Sequence, residues 1–483
     1  MNEPSLPLLP LVLGRVPKSL RQALSQEGVP FVDQAVMPAG GRFVIFDSAA
    51  STGAHTLPGQ AAIDLVALRR TWSSDLFAAL EDETTVRRAW RLDPLTVSET
   101  VARHDKRSVR ERLLADLRKR VENAGGIWLR LGAFPFPYRS AFNFRIDHDD
   151  YDPADFAATL AAADGHESAI SHYVCASTHA DQPEAIARLK GSHVGSHGFW
   201  HHTYREAGEN ASNVRRGIEA LQAAGLEPAG FVAPHGRFNR GLLDALESLG
   251  VDHSSEFGLA YDDVPFFPGD GWVLQLPVHP ICLGVCLEAA REQQDLGLGD
   301  DAAAEIALAH FRRIIAEKHR AGEPIFLYGH PEGRLGRYPH VLRETLATAA
   351  GYRDLWRTTL ARFAAWWRAR GRVTLEVFEY AGQLTVRSGR TPKGQLCALE
   401  YFCGPDVARL PLDGPLVSFS AAAPILRAPL PAPRTYPTPF DQADDFRVSL
   451  RRYLDWERVT PLEEISTATW RGWAKRTLRR IKG

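Results

Sequence analysis

The chain carries two groups of residues whose types and spacing could do chemistry: an acidic strand end and a histidine pair. The acids close the stretch Ser140–Asp150, S-A-F-N-F-R-I-D-H-D-D. Its alternation predicts a strand with Phe142, Phe144 and Ile146 on one face and Asn143, Arg145 and Asp147 on the other. Continuing the period of two puts Asp147 and Asp149 on one face, with His148 and Asp150 opposite. Two carboxylates projecting together are costly unless a cation or a proton reconciles them. The pair is His197 and His201 in S-H-G-F-W-H-H. On one helical turn, a spacing of four puts both imidazoles on the same side, which suits a tetrahedral metal. Two nitrogens and one carboxylate oxygen make three protein ligands and leave a position open for water, the catalytic arrangement.

Asp149 is taken as the ligand, Asp150 as its substitute, and Asp147 as an unliganded base. A metal lowers the pKa of a water it binds to about 7, so a neighbouring carboxylate can accept the proton. A His/Asp set prefers zinc-like divalent ions, so Zn2+ is the expected cofactor. His330, in P-I-F-L-Y-G-H-P-E-G directly after a predicted strand, fits the acid that protonates a leaving group. G-F-V-A-P-H-G at Gly230–Gly236 reads as a strand running into a turn that can aim a backbone N–H at a developing oxyanion. His193 and His202 are read as structural or supporting, and His172 as core. Trp200 could stack on a sugar ring, His279 could touch substrate, and Asp252 and Glu256 could orient a histidine.

Positioning these residues calls for a sheet with its strand ends gathered together. From Gly126 to about Arg370, strand candidates at Phe142–Asp147, Ala169–Cys175, His193–His197, Gly230–Pro234, Val251–Ser255, Trp272–Val278 and Ile325–Tyr328 alternate with helical stretches at Pro153–Ala163, Pro183–Lys190, Asn210–Ala224, Asn239–Leu249 and Asp301–Arg320. The expected fold is α/β, a distorted (β/α) barrel of about seven strands, with the working residues at the C-terminal strand ends. Residues 1–125 are expected to form an α/β and helical extension, with a strand at Arg42–Asp47 and helical spacing from Leu68 to Asn123. The barrel would cover 126–371, ending in a Trp-rich helix at Leu355–Arg370. A small β module would cover 372–425, with strands at Arg372–Tyr380, Gln383–Ser388, Leu396–Phe402 and Leu416–Ser420 and a turn at Ala381–Gly382. Residues 426–483 would hold a basic tail, after a proline-rich linker at Ala423–Pro439.

The bulk numbers bound the rest. At 483 residues with 45% hydrophobic and 24% charged content, two or three packed domains are expected. A net charge of −1 argues against a surface that tracks nucleic acid. The five cysteines are scattered and odd in number, so no disulfide framework is implied. The N-terminal apolar run is short, broken by prolines and not preceded by basic residues, and no run of about 18 apolar residues occurs. A cytoplasmic location is therefore expected. The tail Trp470–Gly483 carries six basic residues and no acid, with Trp470, Trp473, Ala474, Leu478 and Ile481 at helical spacing. Such a helix either lies on an anionic membrane surface, here the inner membrane face, or docks on the protein itself.

Together, and in this order, the acidic strand end, the His-x-x-x-His pair, the Pro–X–Gly turn and the late histidine resemble the polysaccharide deacetylases, the nodulation-type carbohydrate esterases. The resemblance runs from about Phe142 to Trp367, and the histidine pair carries it most closely. It implies Asp147 as base, Asp149, His197 and His201 as metal ligands, and His330 as acid. It also puts His235 in the place of the family's tyrosine, its backbone N–H lining the oxyanion site. The sequence departs from the family in three places: a residue separates base and ligand in D-H-D-D, Val232 replaces the arginine that pairs with the base, and the late motif is stretched to L-Y-G-H. Arg145 or Arg237 could stand in for that arginine. The function implied is hydrolysis of the acetyl amide of an N-acetylated sugar. The alternatives are a barrel that binds carbohydrate without catalysis, and a metal-dependent hydrolase of a small non-sugar amide.

Overall fold

The computed structural model describes residues 11–33, 43–47, 61–380, 383–420, 427–429, 439–443 and 446–482. The turn at 381–382 and most of the proline-rich stretch lie outside them. The acidic stretch forms β1 (Ser140–His148), buried along its whole length. β1 is flanked by β2 (Ile170–Val174) on one side, and β2 in turn pairs with β3 (Val194–Ser196). Phe231 bridges Ser196 to Ser254, which links β3 to β4 (His253–Ser254) and β5 (Leu274–Gln275). On the far side of β1 lies β6 (Pro324–Gly329), paired from Ala141 to Ile146. The short β7 (Leu355–Arg357) pairs with the first residues of β1.

All of these pairings are parallel, as the strand–helix alternation requires, and covering both faces explains why β1 tolerates no exposed residue. The ring is not closed by a ladder. Among the described residues one backbone hydrogen bond, His279 N–H to Phe326 O at 2.8 Å, spans the gap between the segment after β5 and β6. The architecture is a mixed α/β, incomplete barrel. The candidate at Gly230–Pro234 contributes a single bridging residue rather than a strand, because Pro234 has no N–H to continue the ladder.

Helix ends follow their capping residues. Asp152 accepts the N–H groups of Ala154 and Asp155 ahead of the helix Pro153–Ala163, and Asn239 accepts that of Leu242 ahead of Arg240–Ser248. The helix expected over Leu355–Arg370 starts later, at Leu360, because Thr359 caps it through the Arg362 N–H, and Leu355–Arg357 is freed to join the sheet as β7. Two further helices, Leu283–Glu292 and Pro339–Ala350, not among the elements expected from the sequence, cover the barrel.

Outside the barrel the expected boundaries shift. The stretch from Leu68 to Asn123 is not helical throughout: Thr85–Leu92 and Leu95–Ala102 pair as an antiparallel hairpin before the helix Lys106–Asn123. Arg87, Arg88 and Arg91, two of them adjacent, mask the strand period there. Trp128–Pro135, expected in the barrel, pairs instead with Cys397–Cys403 in the C-terminal sheet. The buried Arg370 ties the parts together: its guanidinium donates to the carbonyls of Ser25 and Gln26, beside the C-terminus of the helix Lys18–Glu27, and to those of Leu131 and Gly132.

Candidate metal centre

Beyond the C-terminal ends of β1 and β3 three predicted ligands converge. Asp149 Oδ1 lies 3.1 Å from His197 Nε2 and 3.1 Å from His201 Nε2. The two imidazole nitrogens are themselves 3.1 Å apart. Asp149, His197 and His201 form the one cluster among the described residues with ligand atoms close enough to share an ion. Asp150, the substitute, is exposed and accepts the Tyr151 N–H; it is not in the cluster.

The donor set fits a divalent cation. His197 Nδ1 sits 2.8 Å from Val232 O, where only an N–H can satisfy the contact. That fixes the tautomer and leaves the Nε2 lone pair facing Asp149 and His201. Burial alone would raise the Asp149 carboxyl, but His330, His197 and His201 outweigh it and hold the group well below the usual carboxylate range. Burial would likewise lower His197, and Asp149 and Asp147 reverse this and raise it. Two nitrogens and an oxygen crowded at this distance need a shared positive charge, which a proton or a divalent ion supplies.

The loop that carries His201 is irregular, not the helical turn that the spacing suggested. His197 follows β3 directly, and Gly198 then turns the chain with φ 88°, a conformation that favours glycine. Asn213 holds the loop. Its Oδ1 accepts the N–H groups of Phe199 and Trp200 at 3.1 and 2.7 Å, and its Nδ2 donates to the carbonyls of Trp200 and His202 at 3.0 and 3.1 Å. One turn earlier on the same helix, Asn210 bonds both backbone groups of Tyr204. Gly217 lets that helix close on the loop, since a Cβ there would lie 2.8 Å from the Gly198 carbonyl carbon. From the C-terminal segment, Asp455 accepts from His202 at 2.9 Å and Glu464 from the Trp200 indole at 3.0 Å. Trp200 is thus anchored by its polar edge.

Asp147 is buried next to the cluster, and its cation is Arg145. The guanidinium reaches Asp147 Oδ2 through Nη2 at 2.8 Å and Nε at 3.1 Å, and Ser255 O through Nη1 at 2.6 Å. It also lies over the Tyr328 ring. The guanidinium that faces Asp147 thus comes from within β1, two residues before the acid it pairs with, and Val232 supplies none. Arg237 does not take that place; its charged neighbours are Arg452, Asp455 and Glu99. Asp147 Oδ1 is shielded from solvent and has no hydrogen-bond partner among the described residues.

His330 Nε2 lies 3.5 Å from Asp149 Oδ2. Burial pushes this imidazole down to about 4, with Asp149 opposing. His235 adopts φ 59° in its turn, and its ring meets that of His201 edge-on at 4.9 Å. Burial, reinforced by His201, holds the His235 imidazole well below the usual histidine range. Glu332, not among the residues expected at the site, has both carboxyl oxygens shielded and without hydrogen-bond partners among the described residues. Burial pushes it up to about 8, and Asp149 and Asp150 add to the shift. Its one sequence signal is its place two residues after His330.

Other candidates fall elsewhere. His279 does not reach the site: it is buried against Asp262 at 2.9 Å and His310 at 3.0 Å, with Lys318 donating to the same carboxylate. Asp252 orients His253 at 2.7 Å. Glu256 orients no histidine and instead accepts from Ser254, Gln275 and the Ala233 N–H. His172 is core, paired with His148 at 3.0 Å, and both nitrogens of His193 are buried without a hydrogen-bond partner.

No protein-family profile matches the sequence, and no curated protein matches it. Solved structures do. The likeness is to polysaccharide deacetylases. A structure from Mycobacterium smegmatis assigned to that group is 22% identical, over 49% of this chain and 93% of its own, with a TM-score of 0.41. One from Pseudomonas aeruginosa PAO1, assigned in the same way, is 14% identical over 48% of this chain and 91% of its own, with a TM-score of 0.40. The PuuE allantoinase is 15% identical over 49% of this chain and 92% of its own, with a TM-score of 0.39.

Proposed function

We propose that this protein is a metal-dependent hydrolase that removes the acetyl group of an N-acetylated sugar. The observation that carries the proposal is the convergence of Asp149 Oδ1, His197 Nε2 and His201 Nε2 at 3.1 Å beside a buried carboxylate and a buried imidazole. A divalent ion held by these three residues, Zn2+ being the best match to the donor set, would polarise the acetyl carbonyl and ease deprotonation of the attacking water.

The chain's own residues do the rest. Arg145 orients the Asp147 carboxylate through two hydrogen bonds to one oxygen, leaving Oδ1 to accept the proton of the water. As oxygen adds to the acetyl carbon, the turn at Pro234–Gly236 offers the backbone N–H of His235 to the developing oxyanion. Cleavage of the C–N bond then requires a proton on the departing amine, and His330 is the group placed to give it. Because burial keeps His330 neutral at pH 7, it must first receive that proton during the reaction, and the one Asp147 takes from the attacking water is the proton that balances the step.

Metal analysis of the purified protein, with acetate release from a panel of N-acetylated sugars, tests the proposal. The expected result is about one divalent ion per chain and measurable acetate, both abolished in Asp149→Ala. Bound metal with no acetate from any sugar would move the reading to a different amide. Absence of metal after reconstitution would end it.

A further inference from the structure

The C-terminal helix Trp470–Lys482 is amphipathic, but the fold seats it the opposite way round from a docked surface helix. Its basic face is inside. Lys475 is buried between Asp455 at 3.3 Å and Glu457 at 3.6 Å. Arg479 pairs with Glu457 at 3.6 Å and donates to Thr460 O at 2.6 Å. Gly472, on the same side, is buried against Ser466. The apolar face is left outside, with Trp470 55%, Trp473 61% and Ile481 75% exposed. Tyr453 of the preceding helix, itself exposed, extends it, its ring lying 6.2 Å from that of Trp470.

A protein that spends its lysine on an internal ion pair and turns two tryptophans outward has a surface built to be covered. The charge around the patch selects the cover. Arg476 and Arg480 flank the apolar face by helical position, and neither has an acidic partner among the described residues. The helix contains no acid at all. A second copy would set these arginines against their own kind, whereas an anionic headgroup layer complements them and suits tryptophan at its boundary.

We propose that this patch seats the protein on an anionic membrane surface, with Trp470, Trp473 and Ile481 entering the headgroup–acyl boundary and Arg476 and Arg480 on lipid phosphates. The segment behind the helix also bonds the loop that carries His201, through Asp455 to His202 and Glu464 to Trp200, so docking fixes that loop relative to the membrane. The inference does not depend on the reaction proposed above.

The test is flotation of the full chain with phosphatidylcholine vesicles, with and without about 30% phosphatidylglycerol. Co-flotation should be at least about tenfold stronger with the anionic vesicles and should weaken at high salt. The double variant Trp473→Ser, Ile481→Ser should lower partitioning by roughly a hundredfold. Its melting temperature should stay unchanged, because both side chains are already exposed. Arg476→Glu with Arg480→Glu should erase the preference for anionic lipid. Three results would each overturn the proposal: a wild-type chain that floats with neither vesicle, a double variant that floats as well as wild type, or a solution dimer that depends on Trp473 and ignores lipid.

Discussion

Replacing Arg145 by methionine keeps much of the side-chain volume and removes the charge that faces Asp147. Both groups are almost wholly buried, with side-chain exposures of 2% and 3%. Two unit charges 4 Å apart at an effective dielectric of 20 attract by about 4 kcal/mol, and breaking a buried pair by deleting one partner typically costs ~3–5 kcal/mol. Arg145→Met should therefore destabilise the protein by about 3–5 kcal/mol at neutral pH, the Ser255 carbonyl losing its donor as well. Asp147→Asn should be costly too, since it strands the guanidinium. The double variant should lose less than the sum, with a coupling energy of at least ~2 kcal/mol, because no unpaired charge is left buried. Urea unfolding of the four proteins, followed by tryptophan fluorescence, gives the cycle. Acetate release gives the second readout: both single variants should fall by about 10²–10⁴, the range for a lost or misplaced general base, and the double variant should recover stability without recovering activity. Additive stabilities would mean that the pair is not an energetic unit. An active Arg145→Met beside a dead Asp147→Asn would show that the arginine does not position the base.

Further expectations concern the loop, the ligand set and a buried acid. Asn213→Ala removes four hydrogen bonds to the loop that carries His201 and should weaken metal retention by about 10–100-fold in a chelator competition, the usual scale for supporting residues. Unchanged retention would mean that the loop is held without it. Asp149→Ala should leave less than about a tenth of an ion per chain by elemental analysis after dialysis, whereas Asp150→Ala should keep the wild-type content. Glu256 is buried, and burial pushes its carboxyl up to about 7 from an ordinary 4.5. The folded state thus holds this proton more tightly than the unfolded chain. The resulting stability is present in full below about pH 4.5 and is lost as pH rises through 7, a change of about 3 kcal/mol. Glu256→Gln should flatten that slope, so its urea midpoint relative to wild type should rise from pH 5 to pH 8; parallel profiles would show that Glu256 is ionised throughout.

How much of this was legible in the sequence depends on the range of the interactions involved. The period of two along Ser140–Asp150 is local steric information, and it sufficed to put Arg145 and Asp147 on one face, although the sequence alone left Arg237 as an equal candidate. The choice between Asp149 and Asp150 was open for the same reason: two carboxylates one residue apart differ only in direction, and direction is settled by His197 and His201, some fifty positions away. The helical turn expected at His197–His201 failed because the loop's conformation comes from Asn213 and Asp455, side chains that no local rule connects to it. The hairpin at Thr85–Ala102 was hidden by Arg87, Arg88 and Arg91, which break the apolar alternation of its first strand, and Trp128–Pro135 was assigned to the barrel because its partner strand lies some 270 residues later.

By itself the sequence determined the parallel strand–helix rhythm, the acidic strand end and the spacing of the histidines, all consequences of backbone period and side-chain type within a few residues. The tertiary structure decided which carboxylate joins the imidazoles, which arginine pairs with Asp147, and which face of the last helix is turned outward. Those outcomes rest on contacts between distant segments, where burial and charge pairing, rather than local propensity, choose among alternatives that the chain alone leaves equal.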